Sequence, residues 1–321
     1  MDQLLRLLSA APYVSGETIS REMGITRAAV WKQIQRLKDA GWVIESAGKR
    51  GYHLDAADRL EPELWADRLT TARIGRGELC YLPECGSTNV HMRQLAAAGA
   101  PDGSLCLTEC QTAGRGRLGR SWHSPAGQGL WLSLLVRPRL APEQAPLLTL
   151  CAALAMREAV EQTAHQPVRI KWPNDLVLNS KKLCGILLEM TADIDHLESV
   201  VIGTGLNVLP GAVPPELHHQ ATSLAEEGAA PLRRDLLVAY LTAMEHWLTV
   251  VERDGFAGLS AAYRAASCTL GSKVRVSGAV ELVGTAVDLD DTGALLVRDE
   301  AGTTHRVLSG DVSVRGWMGY V

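Results

Sequence analysis

The chain has 321 residues, 46% hydrophobic and 21% charged, an ordinary balance for a soluble globular protein and enough for two or three domains. No apolar run reaches about 18 residues, so no membrane span is expected, and the opening MDQLLRLLSAAP lacks the basic region and long apolar stretch of a signal peptide. The net charge is −4, yet residues 1–54 carry eight Lys/Arg against five Asp/Glu, so a basic segment of +3 precedes an acidic body of −7. Such asymmetry points to two jobs. Seven cysteines without a CxxC pair read as buried free thiols in a reducing, cytoplasmic setting, ahead of metal or disulfide roles.

Leu4, Leu5, Leu7 and Leu8 make a short apolar helix face. Ser15 is placed to cap a helix through Met23, Gly24 allows a tight turn, and Thr26 caps a second helix running to Gly41. In that helix Val30, Ile34 and Leu37 share one face, while Arg27, Trp31, Lys32, Gln35 and Lys38 fall elsewhere. WVIESAGKRGYHL reads as two short strands around a basic tip, Ala47 to Gly51. Helix, turn, helix and basic hairpin form the winged helix-turn-helix pattern, assigned to residues 1–58 as a DNA-binding domain. Thr26, Arg27, Trp31, Lys32 and Gln35 would enter the major groove, and Lys49 and Arg50 would approach phosphates. A small helical interaction domain with solvated charges is the competing reading. For Trp31, packing on the hairpin stands level with DNA contact. Asp55 to Pro62, DAADRLEP, reads as a linker. A +3 module binds weakly alone, so a dimer reading two half-sites of double-stranded DNA is expected.

The body from 63 to 269 reads as an α/β domain on one large mixed sheet. Strands are expected at ELCYLPEC, SLCLTECQ, GLWLSLLVR, VRIKW, DLVL, KLCGILLEM and SVVIGTGLNVL. Helices are expected over 89–98, 143–163, 233–253 and 256–265. From Lys273 short alternating strands separated by turns read as an SH3-like β-barrel, residues 270–321. The whole is thus an α/β multidomain chain.

Between two of the central strands lies QTAGRGRLGRSW. Gly114, Gly116 and Gly119 let backbone N–H groups approach a ligand, and Arg115, Arg117 and Arg120 supply planar forks for phosphate or carboxylate. The loop is neither GxxxxGK[ST] nor GxGxxG opening a helix, so the P-loop and dinucleotide readings fail. A disordered basic loop and a nucleic-acid contact remain open for the loop alone. No Ser-His-Asp or Cys-His constellation stands out: His91, His123 and His165 are scattered and His218-His219 reads as loop. No covalent enzyme intermediate is therefore expected.

Five motifs occur in order: GSTN at 86–89, GRGRLGRSW at 114–122, KWPND at 171–175, KKLCGIL at 181–187 and GTGLNV at 203–208. With the winged helix they resemble the biotin protein ligase family in its bifunctional form, ligase and biotin-operon repressor. The resemblance spans essentially the whole chain. It implies that biotin, the substrate, is activated by ATP as biotinyl-5′-adenylate and transferred to a lysine of a biotin carboxyl carrier protein. Mg²⁺ would arrive with the ATP phosphates, with no protein metal cage. It further implies a homodimer when the adenylate is bound, acting on operator DNA with the adenylate as corepressor.

Residue by residue, the resemblance gives Lys182 the biotin carboxylate and the α-phosphate, with Arg117 beside it as the second catalytic residue. Ser87, Thr88, Asn89, Gln111 and Arg115 would hold the ureido ring, although Ser87 can also simply cap the next helix. Gly114, Gly116, Gly185, Leu187, Gly203 and Gly205, with Leu188, would line the biotin pocket. Arg115, Arg117, Arg120, Trp122, Asn174, Asn207 and Arg315 would serve the nucleotide. Core packing for Trp122, a structural or interface role for Asp175, and a plain surface position for Arg315 stay open. A lipoate or octanoate ligase, or a non-catalytic biotin-sensing DNA-binding regulator, are the rival functions. Leu118, where the family varies, leaves dimer strength unassigned.

Overall fold

The computed structural model describes residues 2–39, 42–55, 58–192, 197–278, 281–308 and 312–316. They fall into two compact units, Met1–Arg68 and Leu69–Val321.

The first unit contains α1 (Asp2–Ser9), α2 (Gly16–Met23) and α3 (Arg27–Asp39), followed by β1 (Val43–Ser46) and β2 (Tyr52–Asp55). Ser15 caps α2 by accepting from the Thr18 N–H, and Gly24 closes it in the left-handed conformation. Such a cap is worth about 1 kcal/mol. The Thr26 hydroxyl accepts from the Ala29 N–H at 3.2 Å, so α3 starts where the sequence places its cap. Val30, Ile34 and Leu37 are all buried, so truncating Ile34 to alanine would cost about 2–5 kcal/mol. β1 and β2 pair antiparallel around a 3₁₀ turn at Gly48–Arg50. The linker reading of Asp55 to Pro62 is corrected in its second half. Leu60 is fully buried, the 3₁₀ turn Pro62–Leu64 packs on α1, and the Arg59 guanidinium stacks 3.8 Å from the Trp42 ring centroid. A polar composition hid one deeply buried leucine.

The second unit is built on a seven-stranded sheet in the order β3-β4-β5-β9-β8-β7-β6. Its strands are β3 (Leu79–Cys85), β4 (Leu105–Gln111), β5 (Gly129–Val136), β6 (Arg169–Lys171), β7 (Asp175–Leu178), β8 (Lys181–Ala192) and β9 (Leu197–Asn207). β3 and β4 are parallel and the other neighbours antiparallel, so the sheet is mixed as expected. Helices α4 (Thr88–Ala97), α5 (Pro146–Ala164), α6 (Arg233–Asp254) and α7 (Phe256–Ala266) accompany it.

Alternation along β9 separates the two faces of the sheet. Thr204 meets the Tyr240 hydroxyl of α6 at 3.0 Å, whereas Gly203 lies under Asn89 of α4. α5 is apolar almost all round because it is wedged between the sheet and α6, its Leu147 to Met156 stretch wholly buried. On the other face α4 covers one end only and leaves the rest of the floor open.

The C-terminal strands β10 (Lys273–Gly278), β11 (Leu282–Leu289), β12 (Leu295–Arg298), β13 (Thr304–Val307) and β14 (Val312–Gly316) form a five-stranded antiparallel sheet, order β13-β12-β11-β10-β14. It is joined to the larger sheet through Trp172, whose N–H donates to Thr269 Oγ1 at 2.9 Å and whose indole N–H donates to the Gly293 carbonyl at 3.0 Å.

Candidate functional site

A cavity of about 480 Å³ opens on the α4 face of the large sheet, the size of a small-molecule site. All five motif segments contribute to its wall. Its lining carries five cationic side chains, Arg115, Arg117, Arg120, Lys171 and Lys182, against one carboxylate, Asp175. In a chain of net −4 this concentrates positive potential in one concavity.

The floor is bare sheet. Gly185 pairs with Gly205 across β8 and β9, and Leu187 with Gly203. A Cβ at Gly205 would run into the Trp122 indole, and one at Gly203 into the Asn89 carboxamide. The sequence reading reserved these glycines for close approach of a ligand. In the structure they admit two side chains of the protein itself, for the same reason that no Cβ stands in the way. Leu187 lines the cavity but Leu188 does not, since neighbouring strand residues face opposite sides.

At one end, a hydrogen-bonded chain fixes the polar groups. Ser87 occupies the N-cap position of α4 and is buried, but its side chain makes no capping bond, so capping does not account for it. The Thr88 N–H and hydroxyl donate to Gln111 Oε1 at 2.9 and 3.2 Å, and Gln111 Nε2 donates to the Ser124 hydroxyl at 2.9 Å. Ser133 donates to Asn89 Oδ1 at 2.6 Å, and Asn89 Nδ2 donates to Glu189 Oε2 at 2.8 Å. Both ends of the Asn89 amide are therefore held. Ser133 and Glu189 escaped the sequence reading because only strand register brings them beside α4.

The arginine loop is a small hairpin. Gly116 N–H donates to Arg120 O at 2.7 Å and Trp122 N–H to Gly114 O at 2.9 Å, around a 3₁₀ turn at Arg117–Gly119. Gly114 is packed against the Trp122 carbonyl with no room for a Cβ, whereas Gly116 has no such crowding. Leu118 takes a left-handed φ of 56° and is 68% exposed. Arg117 Nη1 donates to Asn174 Oδ1 at 3.0 Å, and Asn174 Nδ2 donates to the Ile186 carbonyl at 2.9 Å, fixing that arginine over the cavity. Arg115 and Arg120 stand exposed at its mouth.

Lys182 Nζ lies 2.7 Å from Asp175 Oδ1 and 5.2 Å from the Trp122 ring centroid. The lysine passes 3.2–3.3 Å from where a Cβ of Gly185 would stand, and reaches the carboxylate opposite Gly185 on β7. Asp175, left open by the sequence, is thus the ion partner of Lys182. Both side chains are mostly shielded, so removing either strands the other's charge. The Trp122 indole N–H is buried against Gly205 and finds no acceptor among the described residues.

Two further parts of the wall were not foreseen. Lys171 is buried there. The stretch 212–221 closes one side and brings His219 to the cavity. It is anchored where Lys182 N–H donates to Gln220 O at 2.8 Å and Thr222 N–H to Lys182 O at 2.9 Å. Asn207 lines the cavity and donates to Thr222 O at 3.0 Å. The Arg315 side chain lies outside the described residues, although its backbone pairs with Arg275.

In the first unit Trp31 is 55% exposed, so the ring is not buried against the hairpin. Lys32 is exposed and Gln35 half-buried. Arg27 pairs with Glu17 at 2.7 Å, and the Arg50 guanidinium lies 4.3 Å from the Tyr13 ring centroid. The Lys49 side chain lies outside the described residues.

The reading that no Cys–His constellation exists is corrected. Cys80 Sγ of β3 stands 3.4 Å from His91 Nε2 of α4, with Cys106 of β4 beside them. The folding of α4 onto the sheet brings together positions that carry no spacing signal.

Three family models match the chain: a helix-turn-helix domain over residues 1–53, the biotin/lipoate A/B protein ligase family over 85–207, and the biotin protein ligase C-terminal domain over 269–315. The bifunctional ligase/repressor BirA of Bacillus subtilis is 35% identical over 97% of both chains. The biotin–[acetyl-CoA-carboxylase] ligase of Mycobacterium tuberculosis is 39% identical over 79% of this chain and 97% of its own. Among solved structures, a biotin protein ligase from Aquifex aeolicus in complex with biotin and ATP superposes with a TM-score of 0.66 at 30% identity, covering 74% of this chain and 99% of that one.

Proposed function

As the chain belongs to the biotin protein ligase family, in its bifunctional ligase/repressor form, we propose that it activates biotin with ATP and transfers it to a lysine of a biotin carboxyl carrier protein, and represses the biotin operon. The observation that carries the catalytic half is Lys182, shielded and held by Asp175 at the centre of a cationic cavity.

In the first step a biotin carboxylate oxygen attacks the α-phosphorus of ATP, the bond to the β-phosphate breaks, and pyrophosphate leaves. Two anions must meet, so the step needs fixed cations more than a nucleophile. Lys182 bridges carboxylate and α-phosphate, and Arg117, oriented by Asn174, meets the phosphate charge. Thr88, Asn89 and Gln111 hold the ureido ring, with Ser87 beside them, while Trp122 covers the adenylate. In the second step the carrier lysine attacks the acyl carbon and AMP leaves.

The one carboxylate in the lining is engaged by Lys182, so the residues fit an ion delivered on the triphosphate and offer it no cage of their own. Mg²⁺ there would neutralise phosphate charge. Arg315, on β14 of a C-terminal sheet we read as the SH3-like module, serves the nucleotide or the carrier.

In the repressor half, the adenylate held in the cavity is the corepressor. A homodimer brings two winged helices to one operator, so two weak modules gain high effective concentration. The proposed domains are 1–58, 63–269 and 270–321.

The test is incubation with ATP, purified carrier domain and labelled biotin or lipoate, with pyrophosphate release monitored. Biotin-dependent release and labelling of the carrier are expected. Lipoate labelling instead, or operator binding with no turnover of either acid, would overturn the assignment.

A further inference from the structure

Cys80, His91 and Cys106 lie on three different elements, with one ligand atom each, all within 4.8 Å of one another. Cys80 and Cys106 are register partners on the parallel strands β3 and β4, so their side chains share a face. That face is the one α4 covers. Cys106 is fully buried there against Met92, while Cys80 and His91 are partly exposed. We propose that these three residues form a site for a thiophilic divalent ion such as Zn²⁺, separate from the ligase cavity.

The geometry supports this. A tetrahedral zinc with Zn–S of about 2.3 Å and Zn–N of about 2.0–2.1 Å sets sulfur and nitrogen about 3.5–3.6 Å apart. Cys80 Sγ and His91 Nε2 are already 3.4 Å apart. Two thiolates cancel the charge of a divalent ion, so the complex is neutral and suits a site with one wall in the apolar core. Hard oxygen donors are missing from the set, which selects against Mg²⁺ and Ca²⁺. Three protein ligands leave one position on the ion, and the partial exposure of Cys80 and His91 leaves it a way in. None of the three residues lines the catalytic cavity. The ion would nonetheless pin α4, whose first turn carries Thr88 and Asn89, to the edge of the sheet.

The full-length, untagged protein, reduced with a phosphine and stripped with a chelator, is titrated with Co²⁺ as spectroscopic probe. Zn²⁺ is then added in competition with a chromogenic chelator. One Co²⁺ per chain is expected, with thiolate-to-cobalt charge-transfer absorption that Zn²⁺ abolishes. Cys80→Ser should roughly halve that absorption. His91→Ala should weaken Zn²⁺ binding by more than about tenfold, since loss of a direct ligand costs at least as much as loss of an outer-shell partner. Cys268→Ser, remote from the cluster, should change neither. Circular dichroism of each variant without metal checks that it is folded. Absence of the charge-transfer band, equal binding by folded Cys80→Ser and His91→Ala, or formation of a Cys80–Cys106 disulfide in place of metal uptake would overturn the proposal.

Discussion

The two functional surfaces of this chain are built in opposite ways. On α3 the residues assigned to DNA stand outward: Trp31 is 55% exposed, and Arg27 rests in an ion pair with Glu17 that water screens. Around the cavity most of the residues assigned to biotin and ATP turn inward, Arg115 and Arg120 at the mouth excepted. Thr88 and Asn89 are each 3% exposed, Asn174 is buried, and each is tied to a partner on another strand or helix. An outward residue can change without disturbing the fold, because little of it is packed against the rest of the protein. An inward one carries fold and function together, so its loss registers in both.

That contrast can be tested from its strongest end. Lys182→Ala should slow pyrophosphate release about 10²–10³-fold, the cost of removing one preorganised donor of charge stabilisation. It should also destabilise the protein, because Asp175 keeps its charge in a shielded place. A wild-type rate would refute the assignment. Lys182→Ala/Asp175→Asn, which removes both charges, should recover thermal stability but not rate.

Next comes Gly205→Ala. Its methyl group meets the Trp122 indole, and overpacking of this kind costs about 1–3 kcal/mol. Isothermal titration should show weakened adenylate binding together with a lowered melting temperature. Unchanged values of both would mean that the indole moves aside freely.

Arg117→Ala should cost about 1.5–3 kcal/mol, the worth of hydrogen bonds to charged groups, read mainly in kcat/KM for ATP. Arg120→Ala should cost less, because that guanidinium stands exposed at the mouth while Arg117 is held by Asn174; equal losses would show that the Asn174 bond does not matter.

The smallest effect on the protein itself is expected from Trp31→Ala. Operator affinity at fixed salt should fall, while ligase rate stays and stability changes by no more than about 0.5 kcal/mol. A clear drop in melting temperature would place Trp31 on the inward side of the comparison.

The outward surface was the more legible of the two in the sequence. Ser15, Gly24 and Thr26 are local signals, and the buried triplet of α3 follows a helical period. The large sheet was also legible, since its strands are short apolar runs bounded by turns. What local pattern could not supply was register. Asp175 meets Lys182 only because β7 and β8 pair with Gly185, which has no side chain, opposite the carboxylate. Ser133 reaches Asn89, and Cys80 reaches His91, only once α4 is laid on the sheet. Leu60 was lost among polar neighbours, and residues 212–221 carry no periodicity that would mark them as a wall. The motif segments themselves were recognisable. Their partners, mostly single residues on adjacent strands, were not.

One small joint bears on how this chain could be shortened. Trp172 lines the cavity, yet its backbone is held by Thr269 and its indole by the carbonyl of Gly293. Cut away the last fifty residues to make a minimal labelling enzyme, and the indole N–H loses its acceptor while the ring loses the cover that keeps it 2% exposed. The cavity wall there would then loosen from behind. A trimmed tool would need a replacement acceptor at that point, or a different residue at 172, before any redesign of the cavity could be judged on its own merits.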